Sequence, residues 1–492
     1  MKTPPVESTT AAPKSSSFAG DVFKLASGTA LAQGLLVVAS PLLSRLYSPG
    51  DFGVLALYVS ITSIVVVIAG LRYELAIMLP ESDEEAANLL ALSLGFSLVT
   101  ACLTCWVCVG WGKTGLDWLH APGLQPYLLL IPVTVLLDGA FQALTYWNSR
   151  TQQFGRLSIA RVTSSAAAVA AQLGAGYAGH ATGGSLIGAS VAGKTLSTAA
   201  LGGQIWRDDR RIFRKSIRWR ALWRSGIRYE KFPLINTWAG LLNVASYQSP
   251  ILLFTYFFSP AIVGNYAFGF RVLFMPLGLI SGSISQVFYQ RAAAAYAQGN
   301  LPSLVEHTFR ILITLGLFPT LLLALIGREV FSLCFGPDWG EAGRYTQILS
   351  VWAFSWFISA PLSTVFMILE CHKLAIFFQF VLFLTRFLSI LIGGLLNNVY
   401  VSLWLFSSTG VFVFGLLAFL NFWISGVPIR KVLYFLAGYS SYSAPGLLII
   451  LALKYAGVST SILISTAVVF LGVHFCFLCH QYKPAIRNLF RL

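Results

Sequence analysis

The sequence predicts an all-α polytopic membrane protein of about 14 transmembrane helices, arranged as two parallel-repeat six-helix lobes plus a C-terminal helix pair. Three observations lead to that expectation. Hydrophobic residues make up 56% of the 492 residues and charged residues 10%, with a mean hydropathy of +0.74, so there are too few charges to clothe a core of this size in a soluble shell. Apolar runs of bilayer-spanning length recur, with short breaks, from Leu25 to Cys479. One stretch occurs twice: Ser40-Pro41-Leu42-Leu43, followed by Ser48-Pro49 and Gly53, returns as Ser249-Pro250-Ile251-Leu252, followed by Ser259-Pro260 and Gly264. The copies are offset by 209 residues at the first proline and 211 at the second, a single small insertion. Each lies where one apolar run ends and the next begins, which places a tight turn at a membrane surface. Duplicated halves build many transporters, because two similar bundles rocking about a central site expose it to each side in turn.

Taken in order, residues 1–20 are rich in Ser, Thr, Pro and Ala and lack the core and cleavage site of a signal peptide. They read as a disordered cytoplasmic tail ahead of an uncleaved signal anchor. The first lobe, 21–206, holds apolar runs at 25–46, 52–71, 86–110, 126–148, 158–178 and 183–205. A basic linker, 207–232, leads to the second lobe, 233–426, with runs at 233–257, 262–288, 308–326, 345–369, 374–395 and 400–425. The pair 440–456 and 458–480, with a basic tail, completes 427–492. It lies outside the duplicated unit and is expected to form a lateral, lipid-contacting groove. Copies six spans apart run the same way through the bilayer, so the repeat is parallel. Pro and Gly breaks, among them Gly28, Gly34, Pro41 and Pro250, offer bending points in the first and seventh helices, though such residues are also common in static membrane helices.

Basic residues set the orientation. With an even number of helices and the N-terminus inside, Lys24, Arg72, Arg150, Arg156, Arg161, the 207–232 block, Arg291, Arg310, Lys373, Arg430 and Lys431 are cytoplasmic. Arg45, Lys113, Arg328, Arg344 and Lys454 are left outside, so both termini are expected in the cytoplasm. The linker RDDRRIFRKSIRWRALWRSGIRYEKF has ten Lys or Arg against Asp208, Asp209 and Glu230. Drawn as one helix it sets Ile212, Trp219, Trp223 and Ile227 on one face and Arg214, Arg218, Arg224 and Arg228 mostly on the other. It is either an interfacial helix on anionic membrane lipids or a solvated linker that sets topology. The net charge of +15 is what inner-side positives require, and no nucleic-acid partner is expected.

Ionisable groups inside spans are costly and usually face a bundle interior or a watery cavity. Lys194, Arg271 and Arg386 are the cations so placed, and together they suit an anionic, pyrophosphate-like ligand. Arg271, near the outer end of its span, either meets ligand or snorkels to the surface. Arg72, at the inner mouth, and Arg45 are further substrate-binding candidates. Asp138, with Glu74 at the close of the second run, is the candidate for coupling to H⁺ or Na⁺; a fixed Asp138–Lys194 ion pair is the competing account. Gln33, Gln142 and Gln172 serve equally as sugar-binding groups or as helix-to-helix glue. Cys102, Cys105 and Cys108, and the Cys476/Cys479 pair beside His474 and His480, lie within apolar runs and read as packing residues. No nucleotide loop, nucleophilic triad or metal-binding helix motif appears, and neither a cofactor nor a catalytic residue is expected.

SPLLSRLYSPGDFGVLALYVSI, the following RYELAIMLPESDEEAANLLALS, and FGPDWGEAGRYTQILSVW in the second half resemble the oligosaccharide flippases of the multidrug/oligosaccharidyl-lipid/polysaccharide exporter superfamily. The nearest likeness is to the Wzx-type group of O-antigen and exopolysaccharide assembly. That resemblance implies inward-open and outward-open states of two lobes, and transfer of an undecaprenyl-pyrophosphate-linked repeat unit across the bacterial inner membrane. The expected protein is a monomer, with the polymerase and chain-length proteins of the same pathway as further partners. A drug or small-cation exporter of the superfamily is one alternative, although its cavity should hold more acids than bases. A membrane-embedded polymerase or ligase is the other, although such an enzyme needs a large outer loop. Here the longest outer connections are expected around Gly327–Arg344 and Gly110–Gln125.

Overall fold

The computed structural model describes residues 18–481, and side chains from Ser27 onward except those of His372, Ala375, Cys479 and Gln481. The expected tail up to residue 17 and the basic residues beyond 481 lie outside the described residues, as does the Lys24 side chain. All regular structure among the described residues is helical. Fourteen helices of 21 residues or more follow in order. The first six are α1 (Phe18–Leu46), α2 (Pro49–Ala69), α3 (Asp83–Trp118), α4 (Leu130–Arg150), α5 (Phe154–Tyr177) and α6 (Gly183–Ser216). The next six are α7 (Thr237–Phe257), α8 (Pro260–Ala297), α9 (Leu301–Phe335), α10 (Gly340–Leu362), α11 (His372–Leu395) and α12 (Val399–Ile424). α13 (Ile429–Tyr455) and α14 (Thr460–Gln481) close the series.

Eleven of these are long and apolar enough to cross a membrane. The other three are α5, α6 and α7, diluted by Ala, Gly, Ser, Thr and amide side chains that favour helix-to-helix contact over lipid. Several helices outrun their apolar runs. α3, α8 and α9 have 36, 38 and 35 residues, whereas a bilayer needs only about 20. The extension of α8, YQRAAAAYA, is rich in alanine, the best helix former, which a hydropathy criterion does not mark. Helix α9 kinks at Ile326, where the expected apolar run ends (φ −122°, ψ 20°), and a second helical segment then runs on to Phe335, so the connection to α10 shrinks to a 3₁₀ turn at Pro337–Trp339, shorter than expected.

The linker also differs from expectation. Helix α6 continues unbroken through Arg207–Lys215 to Ser216, because nothing in that stretch breaks a helix. The chain bends at Ile217 and Arg218, and a separate linker helix spans Trp219–Arg228. Ile212 therefore belongs to a different helix from Trp219, Trp223 and Ile227, which are 79%, 66% and 54% exposed. The linker helix is held to α3 by Arg228, whose Nη1 donates to both carboxylate oxygens of Glu85 at 2.9 and 3.1 Å, and to the segment between α2 and α3 by the Tyr73 hydroxyl, which donates to the Gly226 carbonyl at 3.0 Å.

Helices α13 and α14 pack on the flank of α9 rather than between the lobes, around Leu322, Ile326, Ile450, Leu463 and Ala467.

Candidate translocation pathway between the lobes

Both Ser-Pro turns start a helix. Ser48 caps α2: its Oγ accepts from Asp51 N at 3.2 Å, and Asp51 Oδ2 accepts from Ser48 N at 3.0 Å. Pro49 and Pro260 occupy the first turns of α2 and α8, where a missing N–H costs nothing. The two turns meet each other. A β-carbon on Gly53 would lie 1.9 Å from the Pro260 carbonyl oxygen, and one on Gly264 would lie 1.7 Å from that of Pro49. Only glycine lets the two backbones approach this closely.

Around this crossing the lobes share one core. Leu43, Tyr47 and Phe52 pack with Phe268, Phe331, Phe335 and Trp339. The Phe52 ring lies 5.3 Å from Phe268 and 5.1 Å from Trp339, edge-on contacts worth about 0.5–1.5 kcal/mol each beyond burial. The Trp339 indole donates to the Ser44 carbonyl at 2.8 Å, and the Ser44 hydroxyl donates to the Phe335 carbonyl at 2.9 Å. His120 Nδ1 lies 3.0 Å from the Tyr256 carbonyl and adds a further clasp.

At the opposite, basic end the cores separate. One, around Trp147, Leu89 and Phe213, is built from the first lobe and the linker. Another, around Phe309, Phe357 and Leu362, is built from the second lobe and α13. The two flanks of the lobe interface also differ. α2 and α7 run together, with Ser60 Oγ on the Gln248 carbonyl at 3.4 Å, whereas α1 and α8 make few contacts.

The candidate residues fall into four settings. Lys194 Nζ lies 2.5 Å from Asp138 Oδ2, so these two form an ion pair between α6 and α4, with 37% and 24% of their side chains exposed. Arg271 shares a face of α8 with Gly264 and Phe268, which places it just below the seal, toward the first lobe, with no ion-pair partner among the described residues. Arg386, on α11, is 8% exposed and pairs with no carboxylate among the described residues. Its guanidinium carbon lies 5.1 Å from the Tyr247 ring centroid and 5.9 Å from that of Trp352. Arg72 follows α2 in a left-handed conformation, φ 60°, after Leu71 at φ 48°, each costing about 1–2 kcal/mol. Its Nη1 lies 3.8 Å from Glu74 Oε1, and its guanidinium packs on Gly240 of α7. Arg72 and Glu74 thus sit in the α2–α7 flank. Arg45 is exposed at the end of α1, on the sealed side, away from the cleft.

Of the five cations, Lys194 is paired with Asp138, Arg72 lies beside Glu74, Arg386 is enclosed among aromatic rings of the second lobe, Arg45 is exposed, and Arg271 has no ion-pair partner among the described residues. Sequence reasoning noticed the duplicated Ser-Pro turns and missed that they touch. It also missed the aromatic rings around Arg386, whose helices only the fold brings together.

Residues 42–344 match the profile of the polysaccharide biosynthesis protein family. The chain belongs to that family. No curated protein sequence matches it. Among solved structures, the family member resembles the lipid II flippase MurJ in an inward closed conformation, with a TM-score of 0.70 at 12% identity over 94% of this chain and 99% of that one. An inward-facing multidrug resistance MATE transporter of the MOP superfamily matches with a TM-score of 0.60 at 14% identity, over 84% of this chain and 98% of that one. An outward-facing one gives 0.52 at 12% identity, over 84% and 96%. The fold of this polysaccharide biosynthesis protein is thus MurJ- and MATE-like.

Proposed function

We propose that the protein flips an undecaprenyl-pyrophosphate-linked oligosaccharide repeat unit from the cytoplasmic to the periplasmic leaflet of the bacterial inner membrane, by alternating access, for O-antigen or exopolysaccharide assembly. One observation carries this reading. The lobes are sealed at the Ser-Pro end and part at the basic end, with few contacts between α1 and α8 on one flank. A cleft of that form suits a cargo whose polar head enters between the lobes while its lipid tail stays in the bilayer. Arg271, at the roof of the cleft, offers a bidentate fork to a phosphate oxygen pair. The basic end is cytoplasmic in this reading, with both termini inside. The protein acts as a monomer without enzymatic chemistry, beside the polymerase and chain-length proteins of the pathway, and draws on an H⁺ or Na⁺ gradient.

Depletion of the protein in cells tests the proposal. Complete, single lipid-linked repeats should accumulate on the inner face. Accumulation of unpolymerised repeats on the outer face would instead assign a polymerase or ligase. An unchanged lipid-linked pool with lost efflux of small cations would assign an exporter.

A further inference from the structure

We infer that the aromatic cavity around Arg386, lined by second-lobe residues, is a binding site for one small acid group or halide. The cavity has a volume of about 140 Å³ and is walled by Tyr247, Tyr266, Phe270, Phe274, Trp352 and Trp356, with Arg386 among them. Arg386 is more than nine-tenths buried, and its Nε has no hydrogen-bond partner among the described residues. It lies midway along a helix that is apolar enough to span a membrane, where a bare charge is costly.

The polar groups of the wall are phenols, indoles and the guanidinium. All can donate a hydrogen bond, and none is a carboxylate. Cation–π contact with Tyr247 and Trp352 stabilises the charge without cancelling it. An anion would satisfy the free guanidinium N–H and neutralise the lobe interior together. The volume admits an anion the size of chloride, bromide or formate, or a single carboxylate projecting from a sugar. A diphosphate esterified on both sides is too bulky for it. Two sources share this chemistry: a free monoanion, and an acid group on the cargo's sugar.

The purified full chain in lipid nanodiscs would be titrated with sodium chloride, bromide, formate or glucuronate, at ionic strength held constant with a bulky sulfonate. Thermal unfolding would be followed. The wild type should show a saturable rise in Tm, of about 2–4 °C at a hundredfold excess over Kd, with the bulky sulfonate inert. Arg386→Leu should abolish the response, and Arg386→Lys should weaken it. Tyr247→Phe, which keeps the charge and the ring, should weaken binding about tenfold and serves if Arg386→Leu does not insert. A response to chloride and formate assigns the site to a free monoanion. A response to glucuronate alone assigns it to the cargo's acidic sugar. No saturable response in the wild type, an equal response in Arg386→Leu, or tighter Arg386-dependent binding of inorganic pyrophosphate than of any monoanion would overturn the inference.

Discussion

Lys194 and Asp138 neutralise each other across 2.5 Å, and that contact changes what each can do. A lysine held by a carboxylate is a poor phosphate receptor, so removal of either member should act first through the charge left behind. Breaking a sealed pair costs about 3–5 kcal/mol. Here the exposure of both side chains lets solvent screen the survivor, so the loss should be well below that range. We therefore expect Lys194→Ala and Asp138→Ala each to lower Tm and transport, and the double variant to recover much of the Tm. If the double variant is no more stable than the worse single one, the pair is not the source of the effect. Arg271 should behave differently, having no partner to orphan. Arg271→Gln should leave abundance and Tm unchanged while lowering repeat-unit transport about 10- to 100-fold, the loss of a charge-assisted contact. Arg271→Lys should keep part of the rate. Normal surface polysaccharide in Arg271→Gln at matched expression would remove this residue from the pathway.

At the scale of the helices, the close approach of the two Ser-Pro turns can be disturbed by a single methyl group. Alanine at Gly53 or Gly264 would drive a methyl group into a backbone carbonyl oxygen on the other lobe. Alanine is a better helix former than glycine, so α2 and α8 themselves should lose nothing. The substitution should therefore prevent the Ser-Pro ends from closing without unfolding either lobe. In a cysteine-free background, a cysteine at Phe268 should react faster with a membrane-impermeant maleimide added from the periplasm once Gly53→Ala is present. An unchanged rate would show that the lobes part elsewhere. Helix identity and order were largely legible from hydropathy, which reports what lipid tolerates. Helix ends were less so. The extensions of α3, α8 and α9 leave the apolar slab, and hydropathy falls silent where helix propensity continues. The linker, drawn from sequence as one helix, is split at Ile217 and Arg218, a bend that neither charge nor hydropathy marks. Candidate cations were found by their rarity within apolar runs. Which of them meet was not legible, because the rings around Arg386 on α11 come from four other helices, α7, α8, α10 and α12, which only the fold brings together.

For the molecule as a whole, orientation is the commitment most open to a direct check. Reporter fusions after Lys231, Lys431 and Arg491 should all give cytoplasmic signals, since each follows an even number of long helices. A periplasmic signal at Arg491 alone would remove one helix of the last pair, and periplasmic signals at all three would invert the protein. The meeting of the two Ser-Pro turns bears on the molecule's symmetry. Each turn touches its own copy, which is the isologous contact of a two-fold dimer, drawn here within one chain. In such a contact every residue is both key and lock, so a change tolerable on one side is not tolerable unless the opposite side accommodates it. The halves are thereby held alike where they touch and left at liberty elsewhere. At the same 211-residue offset, Arg271 on α8 corresponds to Ser60 on α2. The likeness is kept where the two halves seal against each other and abandoned at their charges, so two matched halves enclose an interior that is electrically lopsided.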